Sequence, residues 1–270
     1  MEFNGSIIAK KIKEELKNKC DGITLAIVTN KQDGSVSYLK SRIKICDSLS
    51  ISTKVYYQED ICDLEQFISL IKELNQDDNV AGVMIDRPLD SRFNEELIFN
   101  VLDPKKDVDG CTVYNSGLLM RNKPCLTSLT PSAVMMLLEA YNYDLVGKNV
   151  VVIGRSMNVG MPLSHLLINA NATVTICHSK TKNLRSICQS ADLIIAAVGR
   201  KEMIDESYVN SNTTIIDVGI HYNEDGSLVG DVKKTVYDKV LNYSPVPKGV
   251  GPLTSVSLIY NLLKIKEGAL

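Results

Sequence analysis

Val150-Val-Val-Ile-Gly-Arg-Ser-Met-Asn-Val-Gly-Met-Pro162, followed by Ala172-Thr-Val-Thr-Ile-Cys-His-Ser-Lys-Thr181, decides the fold of this chain. Four apolar residues run into Gly154, a polar turn follows, and a helix-like pattern runs from Val159 and Gly160 to Ile168. That order reads as a buried parallel strand, a tight turn and a helix whose N-terminus attracts an anion. Thr173 to Cys177 supplies the second strand of a βαβ unit. In a dinucleotide fold an acidic residue at the end of that strand bonds the ribose hydroxyls. Here the position reads His178-Ser179-Lys180, with Arg155 in the turn. Basic and hydroxyl groups there suit a 2′-phosphate, so the expected cofactor is NADP rather than NAD. The turn departs from the usual glycine fingerprint, because Ser156 stands where its second Gly falls. A purely structural strand–glycine–helix junction is the alternative reading.

Outward from this unit, strands and helices alternate. Strands are expected at Ile23–Thr29, Thr53–Tyr57, Val80–Ile85, Leu193–Ala197 and Thr214–Val218. Helices are expected at Ser37–Leu49, Leu64–Leu74 and Glu95–Leu102. Thr130 is expected as N-cap, with Pro131 at the first position, of a helix to about Tyr143. A last helix from Ser255 to about Lys266 should pack back on the first domain. Repeated βα units imply an α/β fold with mainly parallel sheets. Two domains are expected: 1–128 with 255–270, and a Rossmann-like unit at 129–254.

Composition narrows the function classes. The chain has 270 residues, 30 basic and 32 acidic side chains and a net charge of −2, so nothing favours nucleic acid or an anionic membrane. Tryptophan is absent and Phe occurs four times, against an aromatic platform for single strands or sugars. The seven cysteines lack any CxxC pair and read as small core residues in a reducing compartment. No apolar run reaches a membrane span and no secretory signal is visible, so a cytoplasmic protein is expected. His165, His178 and His221 lie far apart, without metal-ligand spacing.

Two-domain α/β proteins usually place the active site in the interdomain cleft, lined by loops. Asp86-Arg87-Pro88-Leu89 follows a strand directly. Asp107-Val-Asp109-Gly110 carries two carboxylates, and Pro247-Lys-Gly-Val-Gly-Pro252 lets backbone approach a ligand closely. Each alone reads better as an ordinary polar loop, and it is their joint presence that points to a site. Tyr38 and Arg42 lie one helical turn apart on one face. Tyr–x3–Lys, which this Tyr–x3–Arg approaches, is the catalytic pair of short-chain dehydrogenases, but there the pair follows the nucleotide glycines, and here it precedes them by over a hundred residues.

Taken in order, Tyr38 with its i+4 cation, Pro88-Leu89, Lys106-Asp-Val-Asp-Gly110, Asn115-x-Gly117, Thr130-Pro131, Gly154-Arg-Ser156, Val159-Gly160-x-Pro162, Cys177-His-Ser-Lys-Thr181, Asp217-Val-Gly-Ile220, Val229-Gly-Asp-Val232 and Pro245-Val-Pro247 with Gly249-Val-Gly-Pro252 make one pattern. Across essentially the whole chain it resembles the bifunctional methylenetetrahydrofolate dehydrogenase/methenyltetrahydrofolate cyclohydrolase family. The resemblance implies a homodimer of two-domain α/β subunits, a folate substrate and a place in one-carbon metabolism that serves purine biosynthesis. It implies catalytic roles for Tyr38, Arg42, Asp86 and Asp109. Ile85, Asp86, Arg87 and Pro247-Lys248-Gly249-Val250-Gly251 would join Tyr38 and Asp109 around the folate. Gly154, Arg155, Ser156, Val159, His178, Ser179 and Ile220 would hold NADP.

Two departures bear on the chemistry. The family's Lys, taken as the catalytic residue of the cyclohydrolase step, is Arg42 here, and its Gln partner is Asp86. Lysine can lose its proton when buried, whereas arginine practically cannot. If the two positions face each other, a bidentate ion pair becomes possible. A working NADP-dependent dehydrogenase with weak or absent cyclohydrolase is expected. The alternatives are a cyclohydrolase that uses Asp86 or another base, and a non-catalytic folate- or NADP-binding homologue.

Overall fold

The computed structural model describes residues 1–269. The chain begins with α1 (Gly5–Leu16), β1 (Thr24–Thr29), α2 (Asp33–Ser48), β2 (Ser52–Tyr57), α3 (Leu64–Gln76), β3 (Gly82–Ile85), α4 (Glu95–Val101) and α5 (Val113–Met120). It continues with α6 (Leu129–Ala140), β4 (Asn149–Ile153), α7 (Gly160–Asn169), β5 (Thr173–Cys177), α8 (Leu184–Gln189) and β6 (Leu193–Ala196). The remainder is β7 (Thr214–Asp217), β8 (His221–Tyr222), β9 (Leu228–Val229), β10 (Asn242–Ser244) and α9 (Gly251–Lys266).

Two parallel sheets carry the architecture. The first has the order β2-β1-β3, the second β10-β7-β6-β4-β5, and β8 with β9 forms a separate antiparallel ribbon. β1, β3, β4, β6 and β7 are rich in Val, Ile and Leu and almost wholly buried, as strands covered on both faces must be. In each sheet a strand sits between two later ones: β1 between β2 and β3, β4 between β5 and β6. The chain leaves such a strand in opposite directions, and the crevice at its carboxyl end is where open α/β sheets bind ligands. The turn after β4 opens at Gly154 and the segment after β3 opens at Asp86.

Side-chain caps fix several helix starts. Asp63 accepts the Gln66 N–H at 2.8 Å, Asn94 the Leu97 N–H at 3.1 Å and Thr112 the Asn115 N–H at 3.3 Å. Three expected starts are corrected, the first being α2, which begins at Asp33, four residues before the expected Ser37. α6 begins at Leu129, so Thr130 lies inside the helix rather than capping it, and Pro131 is tolerated because first-turn N–H groups need no intrahelical partner. α9 begins at Gly251, four residues before the expected Ser255, with Pro252 in its first turn.

The chain divides into two compact units: Met1–Ile12 with Leu129–Ser257, and Lys13–Ser128 with the residues from Leu258 onward. Residues 1–12, which the sequence reading gives to the first domain, therefore group with the nucleotide unit. Backbone pairing is the reason: the Phe3 N–H donates to Tyr243 O at 2.7 Å and the Tyr243 N–H to Met1 O at 3.0 Å. Phe3 also stacks on Tyr141 at 4.4 Å between centroids.

The other unit holds the end of α9. Asn261 is buried there and its amide donates to Val108 O and Thr127 O, both at 2.8 Å. Its apolar core includes Phe67 edge-on to Phe93 at 5.0 Å, with Ile71, Val83, Ile85 and Ile98. Among the described residues no helix is long and apolar enough to cross a membrane.

Candidate active site

Tyr38 and Arg42 lie one turn apart on α2, and the Arg42 guanidinium carbon sits 5.9 Å from the Tyr38 ring centroid. Arg42 Nη1 donates to Asp86 Oδ1 at 2.5 Å, with the two side chains 19% and 9% exposed. The contact expected from the paired departure is present, but it runs through one carboxylate oxygen rather than two. Asp86 Oδ2 is buried without a hydrogen-bond partner. A buried orphan acceptor is costly, and active sites are where such atoms persist.

The segment after β3 is held from several sides. The Asp86 N–H donates to Val28 O at 2.8 Å, which continues the sheet. Buried Gln58 donates its amide to Asp86 O at 3.1 Å and accepts the Asp90 N–H at 2.9 Å. The Arg87–Pro88 bond is cis, and Asn30 Nδ2 donates to Pro88 O at 3.4 Å. Gln58, invisible to motif reading, thus fixes where Asp86 stands. A Gln58→Leu variant leaves a buried carbonyl and a half-buried N–H unmatched, so the chain should lose about 2 kcal/mol of stability in urea unfolding.

The remaining folate-side candidates divide. Arg87 is engaged with α4, with its guanidinium 4.5 Å from the Phe99 ring centroid and Nε 3.3 Å from a Glu95 carboxylate oxygen. Ile85 is a core residue of β3. Of the two loop carboxylates, Asp107 is buried and structural: it accepts the Thr112 N–H at 2.8 Å and the Asn115 amide at 3.0 Å. Asp109 is half-buried, next to Gly110 at φ +58°. Lys106, in the same motif, closes the end of α3 by donating to Leu74 O and Asp77 O.

Pro247 to Gly251 belong to the other compact unit. Pro247 follows a cis bond and Lys248 holds φ +86°, a conformation that favours glycine. Lys248 is exposed, Val250 is buried and Gly251 opens α9. Gly249 cannot carry a side chain, because a Cβ would lie 2.1 Å from Ser244 Oγ.

The nucleotide half is built around two backbone contacts. Gly154 has φ +135°, and a Cβ there would come within 2.2 Å of Ala197 O. A Cβ on Gly160 would lie 2.1 Å from Gly154 O. The start of α7 therefore rests directly on the end of β4, the cradle a pyrophosphate requires. Ser156 caps this helix itself: its Oγ accepts the Val159 and Gly160 N–H groups at 3.2 and 3.4 Å, and its carbonyl accepts that of Met161 at 3.0 Å. Val159 is the N-cap position, and Arg155 is exposed beside it.

The segment after β5 is a closed turn. Thr181 Oγ1 accepts the His178 N–H at 2.8 Å and the Thr181 N–H donates to His178 O at 2.8 Å. His178 Nδ1 accepts the Lys180 N–H at 3.2 Å, so this ring shapes the turn, while Ser179 and Lys180 stand exposed at its tip. No acidic side chain lies in this turn. Ile220, 44% exposed, follows β7.

Two buried carboxylates order the carboxyl edge of this sheet, and motif reading gave neither a role. Asp217 accepts the Gly219 and Asp231 N–H groups on one oxygen and that of Val232 on the other. Burial, reinforced by nearby Asp231, pushes the Asp217 pKa up to about 7. Asp217 thus binds its proton more tightly folded than unfolded. Its contribution to stability is full below about pH 4 and is lost as pH rises through about 7. Thermal unfolding should show this as a loss approaching ~1.4 kcal/mol per pH unit between pH 5 and 7, levelling off above, relative to Asp217→Asn.

An α/β sheet with a glycine cradle after β4, and no acid after β5, defines a dinucleotide-binding protein whose other unit carries a Tyr–Arg–Asp cluster. Comparison with known proteins is specific. Residues 128–269 match the tetrahydrofolate dehydrogenase/cyclohydrolase NAD(P)-binding domain and residues 3–109 the catalytic domain of the same family. The chain belongs to the tetrahydrofolate dehydrogenase/cyclohydrolase family. The Bifunctional protein FolD of Clostridium beijerinckii is 42% identical over 269 residues, covering 96% of this chain and 95% of that protein. The bifunctional FolD structure from Campylobacter jejuni superposes with a TM-score of 0.95 at 36% identity, covering 100% of this chain and 99% of that one. A Trypanosoma brucei relative, complexed with NADP cofactor and inhibitor, is 26% identical with a TM-score of 0.90, over 98% of this chain and 97% of that one.

Among the described residues no group of His, Cys, Asp and Glu could hold a metal ion.

Proposed function

We propose that the protein oxidises 5,10-methylenetetrahydrofolate to 5,10-methenyltetrahydrofolate with NADP and hydrolyses the product weakly or not at all. The Arg42–Asp86 ion pair carries this reading. NADP, when bound, supplies the hydride acceptor. Gly154 and Gly160 let the backbone meet the phosphates, and Arg155 with Ser179 suits the 2′-phosphate. Ile220 stands at the nicotinamide end, while Tyr38 stacks on the folate and Asp109 accepts its pterin N–H groups. The remaining motif residues, Val159, His178 and the Pro247–Gly251 turn, shape these two sites.

Hydride loss leaves a cationic methenyl group. Asp86 neutralises Arg42, so no bare positive charge opposes the cation as it forms. Hydrolysis needs more, namely a group that takes a proton from water. Arg42 cannot supply it, because a guanidinium does not give up its proton in a protein.

The family also suggests a cytoplasmic homodimer in one-carbon metabolism, and free thiols at all seven cysteines suit a reducing compartment. NADPH formation from methylenetetrahydrofolate by purified protein tests the dehydrogenase, with NAD expected to be the poorer acceptor. Absence of NADPH formation overturns it.

One observation favours a second reading. Asp86 Oδ2 has no hydrogen-bond partner, and it would take a proton from water only once substrate binding admits a water to it. In that case wild-type protein hydrolyses methenyltetrahydrofolate and Asp86→Asn does not.

A further inference from the structure

Asp231 lies fully buried where the segments after β6 and β7 meet. Its Oδ2 accepts the Val198 and Gly199 N–H groups at 2.6 and 3.0 Å, and its Oδ1 accepts that of Arg200 at 2.9 Å. These three belong to the segment after β6. The fourth partner, from the segment after β7, is His221, whose Nε2 lies 2.8 Å from Oδ1 and whose side chain is 21% exposed. With three donors already on an acceptor-only group, the imidazole tautomer that fits carries its proton on Nε2.

We propose that His221 is a positioning residue for the nicotinamide end of the dinucleotide site, acting through Asp231. The inference rests on the dinucleotide reading above and adds to it a residue with no assigned role. Ile220 sits between two anchors on one carboxylate. On one side Gly219 packs so closely that a Cβ would lie 2.5 Å from Asp231 Oδ1. On the other, His221 bonds the same oxygen. The β8–β9 ribbon turns the chain back so that Asp231 arrives beneath both segments, with Val229 paired opposite His221. Gly230 completes the fit, since a Cβ there would lie 1.8 Å from Asp217 Oδ2. Removing the imidazole deletes the one side-chain bond by which the segment after β7 holds Asp231, but leaves Asp231 its three backbone donors. The unit stays folded, and what is lost is the fixed presentation of Ile220.

The test compares His221→Phe and His221→Ala, which delete the donor, with His221→Gln, which retains an N–H at similar reach. Steady-state constants, melting temperature and the Kd for NADP by direct titration are measured for each. The donor-deleting variants should weaken NADP binding by about tenfold and lower kcat severalfold, the scale of one lost charge-assisted hydrogen bond. KM for methylenetetrahydrofolate should stay within about twofold, and His221→Gln should recover most of the NADP affinity. Unchanged NADP affinity in His221→Phe or His221→Ala overturns the proposal. So does equal impairment of His221→Gln with an equal fall in melting temperature, the pattern of a merely structural residue. Wild-type inactivity toward methylenetetrahydrofolate would instead overturn the proposed function, and NADP titration, which needs no turnover, still decides the role of His221.

Discussion

Replacing Arg42 by Lys and Asp86 by Gln together is expected to raise hydrolysis of methenyltetrahydrofolate by about 10²–10⁴-fold, the contribution of one positioned general base. Dehydrogenase activity should stay within severalfold, because hydride transfer asks for orientation and not for a base. Both changes are needed. Arg42→Lys alone leaves an ammonium against Asp86, whose carboxylate holds the lysine protonated. Asp86→Gln alone leaves a largely buried guanidinium without its carboxylate, and breaking a buried pair from one side costs about 3–5 kcal/mol. The double substitution removes the charge opposite the lysine and so lets its proton leave. Stopped-time assays of methenyl loss above the spontaneous rate read the gain. No gain in the double variant would mean that water activation in this chain does not depend on position 42.

Gly160→Ala should abolish measurable NADP binding and destabilise the protein by more than about 3 kcal/mol, the scale of severe overpacking against backbone. The obstacle is no yielding side chain. The new Cβ would meet Gly154 O at 2.1 Å, Gly154 C at 2.6 Å and Arg155 Cα at 3.0 Å. Relief requires α7 to lift off the end of β4 and so opens the cradle itself. Titration with NADP and urea unfolding on the same preparation measure both effects. Retained affinity would show that the phosphates do not depend on this contact.

The strand–turn–helix at 150–168 is legible because its signals coincide: β-branched run, glycine, polar turn and apolar helical spacing. The interior strands read well for the same reason, each being apolar on both faces. β10 is not readable. It has three residues, Asn242–Ser244, with only Ser244 buried, and it becomes a strand by pairing with β7 and the N-terminal residues. The allegiance of residues 1–12 is hidden likewise, since their partners lie over 130 positions away.

At the site, the Arg42–Asp86 contact is foreseeable from two coupled departures across 44 positions. Its single-oxygen geometry is not, because that depends on Gln58 pinning the Asp86 carbonyl. Spacing alone does not separate Asp107 from Asp109, only the family resemblance does, and the neighbouring Thr112 and Asn115 donors then commit Asp107 to structure. Asp217 and Asp231 stand inside recognisable motifs, yet spacing cannot tell a carboxylate that gathers backbone N–H groups from one that meets a substrate. Two glycines that a side chain would drive into those carboxylates, Gly219 and Gly230, are the signal that separates them.

One measurement bears most directly on the function: NADP-dependent oxidation of methylenetetrahydrofolate and hydrolysis of supplied methenyltetrahydrofolate, both on a single preparation of the wild-type protein. NADPH formation with methenyl loss no faster than the spontaneous rate is the expected result, and it would require a separate enzyme to open the methenyl ring. Rapid hydrolysis alongside oxidation would contradict it, and would show that a chain with Arg42 paired to Asp86 still activates water.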